Sequence, residues 1–365
     1  MAPLTRDDAP TWPLLTAQLL RGDDLAPAQA SWAMHEVMEG AARPVPLAGF
    51  LVALQAKGVT GVELAALADA MVEHALAVSA PERSVDIVGT GGDMAHTVNI
   101  STMSAVVISA SGRPVVKHGN RASSSRSGSA DVLEALGVRL DLSVPAIEAL
   151  IAEVGISFLF AQVFHPSMRY AAEARKGLAV PTVMNVLGPI TNPARPRASA
   201  VGVANSALAP TVASVFASRG TSALVFRGRD GLDELTVTAP SDVWEVRHGH
   251  VHAQVLDPSA LLGIAYADPS DLRGGTAEEN AQVARDVFAG QTGGRLQAVR
   301  DAVALNAAAG ILAFDGIDAA EADGDDDFAS RFTRAFTEAQ DVLSTGRAAD
   351  LIENWARASQ QAVAR

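Results

Sequence analysis

The chain has 365 residues, of which 48% are hydrophobic and 19% charged, a balance of globular rather than disordered sequence. It carries 41 acidic against 28 basic residues, a formal net charge of -13, which argues against bulk nucleic-acid binding through clustered Lys and Arg. Cysteine is absent, so disulfides and thiolate metal sites are excluded.

Residues 1–8 place acids where a signal peptide needs bases ahead of an apolar run. The longest apolar runs, such as residues 105–110, fall far short of a membrane span. A cytoplasmic protein with no membrane and no nucleic-acid partner is expected. Residues 12–80 predict helices: Trp32, Met34, Val37 and Met38, then Phe50, Leu51 and Leu54, recur at helical spacing. Gly40 to Pro46 and Gly58 to Gly61 interrupt them. Thr60 with Glu63 has the pattern of a capping box.

The pattern changes near Pro81. Val85-Asp86-Ile87-Val88 predicts a buried strand that runs into Gly89-Thr90-Gly91-Gly92-Asp93. A helix is expected from Asn99 to Ala110, with Thr97 or Asn99 as its cap. Pro114-Val115-Val116 predicts a second strand, running into a polar loop at Lys117. Residues 131–136 predict a helix closed by Gly137. Strand, polar loop and helix, repeated, is the pattern of a parallel α/β sheet, whose ligands sit beyond the strand C-terminal ends. Residues 156–205 read as mixed helix and loop. Leu224-Val225-Phe226 predicts a further strand, followed by Asp233-Glu234. Residues 237–265 read as a β-rich connection and the remainder as helix, clearest over residues 303–312. The acidic run 323–327 reads as a solvated turn.

Residues 117–131 hold one Lys, one His, two Arg, five Ser and two Gly. Backbone N–H groups, hydroxyls and cations are what hold phosphate oxygens, so the stretch reads as an anion cradle, against the alternative of a solvated polar loop. The glycines of residues 89–93 allow close backbone approach to a ligand; a tight turn is the alternative. The run is neither G-x-G-x-x-G nor a Walker loop. Thr97, Asn99, Ser101 and Thr102 gather at a helix N-terminus, where an anion is favoured, although capping alone would account for one of them. Asp233 and Glu234 offer oxygen ligands for Mg2+. Arg169, Arg175 and Lys176, with His165, form a second basic cluster, either a solvated helix face or a carboxylate-binding group.

With these motifs in order, the chain resembles the anthranilate phosphoribosyltransferases, a family on the nucleoside phosphorylase/phosphoribosyltransferase-like fold. The matching segments are Gly89-Thr90-Gly91-Gly92-Asp93, Asn99-Ile100-Ser101-Thr102, Lys117-His118-Gly119-Asn120-Arg121 and Ser127-Gly128-Ser129-Ala130-Asp131. They continue with Phe158-Leu159-Phe160-Ala161, His165-Pro166, Asn185-Val186-Leu187-Gly188-Pro189, Thr191-Asn192-Pro193 and Asp230-Gly231-Leu232-Asp233-Glu234-Leu235. The resemblance implies an α/β class protein: a small all-helical domain, residues 1–80 joined by a later segment near 175–205, and a larger α/β domain, residues 81–365, with a mostly parallel central sheet. It implies a pentosyl-transferring glycosyltransferase of tryptophan biosynthesis that joins phosphoribosyl pyrophosphate to anthranilate, working as a homodimer.

It also implies site residues. The phosphoribosyl pyrophosphate site would comprise Gly89, Gly92, Asp93, Thr97, Asn99, Ile100, Ser101, Thr102, Lys117, His118, Gly119, Asn120, Arg121, Ala122, Ser123, Ser124, Ser125 and Ser129. Anthranilate would meet Gly89, His118, Asn120, His165 and Arg175. Ser101, Asp233 and Glu234 would hold two Mg2+ ions. Lys117 and Asn120 would contribute electrostatics and positioning. The chain departs from the family at Met94, usually Gly, at Met184, usually Phe, and at Arg227, usually His. A nucleoside phosphorylase would carry a different Lys-His loop and leave Asp233-Glu234 without purpose. A nucleic-acid-binding paralogue would be expected to carry more basic charge.

Overall fold

The computed structural model describes residues 9–121, 126–318 and 326–362. Its first elements are α1 (Trp12–Leu20), α2 (Pro27–Met38), α3 (Pro44–Lys57) and α4 (Gly61–Glu73). Then come β1 (Val85–Gly89), α5 (Ile100–Ala110), β2 (Val115–Gly119), α6 (Ser129–Ala135), α7 (Val144–Val154) and β3 (Ile156–Phe160). Short helices follow: α8 (Ala161–Phe164), a 3-10 turn (Pro166–Ala171), α9 (Ala172–Leu178) and α10 (Met184–Leu187). The chain continues through β4 (Ala198–Gly202), α11 (Ala209–Ser218), β5 (Ser222–Gly228), β6 (Ser241–Arg247), β7 (His250–Leu256) and α12 (Pro258–Leu262). It closes with α13 (Ala277–Phe288), α14 (Arg295–Asp315), α15 (Phe328–Ser344) and α16 (Arg347–Gln361). Among the described residues no helix is long and apolar enough to cross a membrane.

Two compact units result, one of residues 1–76 with 162–191 and one of residues 77–161 with 192–365. The segment that joins the helical unit is thus 162–191 rather than the expected 175–205, because residues 198–202 become a strand of the sheet. In the helical unit Trp12 packs on Trp32 and Phe50, with ring centroids 5.3 and 5.4 Å apart. The Thr60–Glu63 capping box forms as its spacing predicts: Thr60 N–H donates to Glu63 Oε2 at 2.8 Å and Thr60 Oγ1 accepts from Glu63 N–H. Glu63 is buried, yet it is fully used, with Lys57 at 2.8 Å and the Leu25 N–H at 2.8 Å.

The larger unit is built on a sheet of order β3-β2-β1-β4-β5-β6-β7, parallel from β3 through β5, with β6 and β7 added antiparallel. The chain leaves β1 toward β2 and β3 on one side, then resumes on the other with β4 and β5. That makes β1/β4 the switch point where ligands enter such sheets. Gly89 lies level with Gly202 across it. Helix α14 is buried from Ala298 to Phe314 and packs on α5 and on the sheet. Its alanines and Gly310 permit this; a β-carbon on Gly310 would overlap Ile108.

The structure corrects several sequence expectations. Lys117, His118 and Gly119 belong to β2 and not to the loop after it. Within 156–205, where the sequence predicts only mixed helix and loop, residues 156–160 and 198–202 form β3 and β4. The basic segment after His165 is a 3-10 turn followed by α9, not one helix. Asn99 does occupy the N-cap of α5, but its side chain makes no cap bond. Asp327, read as part of a solvated turn, caps α15 by accepting from the Ser330 N–H at 2.7 Å; residues 323–325 lie outside the described ones.

Candidate active site

At the switch point the backbone leaves β1 through Gly89 and curls over Gly91 and Gly92, both at positive φ. The Gly91 N–H donates to Asp233 Oδ2 at 2.6 Å. Asp233 and Glu234 lie between β5 and β6 and are buried. Asp233 is wedged against the sheet: a β-carbon on Gly89 would overlap its carboxylate, and one on Gly202 would overlap its backbone carbonyl. Asn306 of α14 holds the next residue, accepting from the Leu235 N–H at 3.0 Å and donating to its carbonyl at 2.8 Å.

Burial and the neighbouring charge of Asp93 push Asp233 up to about 7. Burial and the Asp233 charge raise Glu234 well above the carboxylate range, opposed by Lys117 and by the Ser101 N–H at the start of α5. Lys117 is buried on β2, its ammonium donating to the Ile87 carbonyl and, at 3.2 Å, to Ser101 Oγ. Burial lowers its pKa, and Asp86 and Glu234 counter that. Asp86 is completely buried on β1. It accepts from the His118 N–H at 3.1 Å and from Asn192 Nδ2 at 2.8 Å, and burial raises it to about 6. Buried carboxylates whose pKa values are raised by burial and by neighbouring acids, beside one ammonium, form an oxygen-donor set that fits a hard divalent cation such as Mg2+.

The loop from Asp93 to Asn99 is braced from a distance. The Val98 N–H donates to the Leu272 carbonyl and the Gly274 N–H to the His96 carbonyl, each at 2.8 Å. Gly274 is required there, since a β-carbon would stand 2.5 Å from the Thr97 carbonyl. Asn280 Nδ2 donates to Asn99 Oδ1 and to Ser127 Oγ, each at 2.8 Å, and so ties the two polar loops together. Thr102 is buried on α5 behind Ser101, and Ile100 is core. Met94, in the place of the family's usual Gly, takes φ +62 and is exposed.

After β2, Gly119 packs under the Phe158 ring, 2.7 Å from where its β-carbon would stand. Asn120 is exposed, and its Oδ1 accepts from the Arg121 N–H at 2.8 Å. Arg121 pairs with Asp131 at 2.8 Å and Glu134 at 2.6 Å and lies over the Phe160 ring, so its charge is engaged with α6. Ser129 opens α6. Ala122, Ser123, Ser124 and Ser125 lie outside the described residues.

His165 and Arg175 belong to the helical unit. His165 is buried and held neutral by burial, its Nε2–H donating to the Thr191 carbonyl at 2.9 Å. Arg175, half-buried on α9, has its pKa lowered by burial. The sequence alone does not single out Asp86, Asn280, Asn306 or the 272–275 segment as parts of this site. Only Asp86, a charge inside a predicted buried strand, carried a signal that could have found it.

A helical unit together with an α/β unit that sets glycine turns, a buried lysine and paired carboxylates at its strand ends defines a glycosyl-transferring class. The glycosyl transferase family α/β domain model matches residues 81–349, and the corresponding helical bundle domain model matches residues 13–75. The chain is 54% identical over 345 residues to the anthranilate phosphoribosyltransferase of Arthrobacter sp. strain FB24, covering 94% of this chain and 95% of that one. It is 52% identical to that of Acidothermus cellulolyticus, covering 97% of each. The crystal structure of the Thermus thermophilus enzyme superposes with a TM-score of 0.85 at 39% identity, over 95% of this chain and 99% of that one. The Saccharomyces cerevisiae enzyme, solved in complex with phosphoribosyl pyrophosphate and Mg, gives 0.83 at 25% identity, over 96% and 98%. The chain belongs to the anthranilate phosphoribosyltransferase family.

Proposed function

We propose that this chain transfers the 5-phosphoribosyl group of phosphoribosyl pyrophosphate to the amine of anthranilate, giving phosphoribosylanthranilate and pyrophosphate in tryptophan biosynthesis. Family membership over nearly the whole chain supports the reaction. The observation that carries it is the convergence of Asp233, Glu234, Ser101 and the buried Lys117 where the glycine turn leaves β1. Such a set has use for a polyphosphate carried with a divalent cation.

In this reading the backbone of Gly89 and Gly92, with Asp93, Thr97, Asn99, Ile100, Ser101 and Thr102, receives the phosphates and ribose of the donor. Lys117 to Arg121, residues 122–125 and Ser129 complete that cradle, with Arg121 anchoring it to α6. Ser101, Asp233 and Glu234 hold two Mg2+ ions, which when bound neutralise the pyrophosphate's developing charge. Lys117 contributes a fixed positive charge to the same end. Gly89, His118 and Asn120 meet the acceptor. Within the helical unit, the guanidinium fork of Arg175 suits a carboxylate such as that of anthranilate, and neutral His165 offers an uncharged wall. The aromatic amine is neutral at pH 7, so attack on the anomeric carbon requires alignment rather than a strong base. The working assembly is a homodimer in the cytoplasm, as the family resemblance suggests.

Loss of anthranilate fluorescence tests the reaction. It is expected only when phosphoribosyl pyrophosphate and Mg2+ are both added. A folded protein that consumes no anthranilate under those conditions would overturn the reading. Light scattering on a sizing column checks the dimer.

A further inference from the structure

We propose that the helical unit carries a second metal site, for zinc or a neighbouring first-row divalent ion, where the C-terminal ends of α2 and α4 meet. Its ligands are His35, Glu39 and His74, whose ligand atoms all lie within 4.8 Å of one another. His35 sits in the last turn of α2 and Glu39 caps that helix four residues on, so both project from one face. His74 caps α4. The residues take no part in the reaction proposed above.

His35 Nδ1 and His74 Nε2 stand 2.9 Å apart. Without a cation, two neutral imidazoles at that distance share one proton, one ring donating and the other accepting. A metal ion replaces that proton. Two nitrogens bound tetrahedrally at zinc distances are roughly 3.4 Å apart, so the rings need part by only about 0.5 Å. Glu73 Oε2 lies 3.6 Å from the other nitrogen of His35, Nε2. A carboxylate there orients the ring with Nε2 protonated and Nδ1 free for the metal. The three residues stand at the C-terminal ends of α2 and α4, where the helix dipole favours a cation. Both histidines are half-buried and Glu39 is exposed, so a fourth position is open to water. Two imidazoles and one carboxylate select zinc over magnesium, which separates this site chemically from Asp233 and Glu234. The ion would strap α2 to α4.

The exposed His250 and His252, with rings 6.5 Å apart on β7, are the competing imidazole pair. Calorimetric titration of the chelator-stripped full chain with Zn2+ therefore uses two backgrounds, His250→Ala/His252→Ala and Asp233→Asn/Glu234→Gln. One tight equivalent is expected to survive in each and to vanish in His35→Gln and His74→Gln. Co2+ in its place should give tetrahedral absorption bands, and Zn2+ should raise the Tm of the parent but not of His74→Gln. Glu39→Gln alters an exposed side chain, keeps the fold if the histidine variants do not, and should weaken binding at least about tenfold. Unchanged Zn2+ affinity in Glu39→Gln, or loss of the tight equivalent with His250 and His252, would overturn the proposal.

Discussion

Gly202 and Asp233 touch so closely across the β4 strand end that a β-carbon on the glycine would overlap the aspartate's backbone carbonyl. The position of the carboxylate pair is therefore set by a missing side chain on another strand. Gly202→Ala must push the 230–238 loop away from the sheet. Over-packing of this kind costs about 1–3 kcal/mol. A catalytic group displaced by about 1 Å loses roughly 100-fold in rate. Gly49→Ala is the control: Gly49 is in α3, with open space around its β-position and an ordinary φ, and Ala there should stabilise by about 0.5–1 kcal/mol with turnover unchanged. Equal turnover in the two variants would show that Gly202 does not position Asp233.

Lys117 and Asp86 face the same buried region from adjacent strands, and each offsets part of the other's burial cost. Lys117→Met withdraws the nearby cation that holds the Asp86 pKa down, so Asp86 should titrate higher still and the fold should lose stability at neutral pH. Adding Asp86→Asn removes the buried carboxylate and should return part of that loss. Urea unfolding of the parent, both single variants and the double variant measures the coupling. Strictly additive effects would mean that the two residues do not compensate one another.

Part of this arrangement was legible in the sequence. The strand-then-glycine pattern located β1 and its turn, Pro114-Val115-Val116 located β2, and Thr60–Glu63 announced its capping box. The Asp233-Glu234 pair was visible because it followed an apolar strand. Lys117 reads as a loop residue, because a lysine normally ends a buried run; the Ile87 carbonyl and Ser101 hydroxyl that receive its ammonium, and the nearby Asp86 charge, come together only in the fold. β4, Ala-Ser-Ala-Val-Gly, has one β-branched residue, Val201, and no aromatic one to mark it as a strand, since its small side chains serve close packing against α14 and Asp233. Asn306 and Asn280 look like ordinary helix residues, and only the fold reveals that one holds Leu235 and the other joins Asn99 to Ser127.

The carboxylates give a pH signature. Asp233 is raised to about 7 and Glu234 well above its ordinary value, chiefly by burial. Both folded-state values exceed the unfolded ones, so the folded chain binds more protons than the unfolded chain from about pH 4 to 7. The contribution of these groups to stability is therefore largest at low pH and is lost as pH rises toward and through 7. Mg2+ needs the ionised forms, so its apparent affinity should fall up to about tenfold per pH unit below 7. Without substrate, Mg2+ should raise Tm at pH 8 and not at pH 5.5. Asp233→Ala/Glu234→Ala should show no Mg2+ shift at either pH and no Mg2+-dependent turnover, with an unchanged far-UV circular dichroism spectrum. A Mg2+ shift of equal size at both pH values would contradict the assignment, as would near-normal turnover in the double variant.

Arg175 presents a half-buried guanidinium with no ion pair among the described residues, whereas Arg113 and Arg331, also largely buried, are each met by carboxylates. Desolvating an arginine without a counter-ion costs free energy that an incoming anion can recover. If that anion is the carboxylate of anthranilate, Arg175→Ala removes a charge-assisted pair of about 1.5–3 kcal/mol. The anthranilate KM should then rise about 10- to 100-fold, while the KM for phosphoribosyl pyrophosphate moves less than about threefold. Arg175→Lys keeps the charge but not the fork and should fall between the two. Steady-state kinetics with each substrate varied in turn decides it: an unchanged anthranilate KM in Arg175→Ala, or an equal rise in both values, would remove Arg175 from the acceptor site.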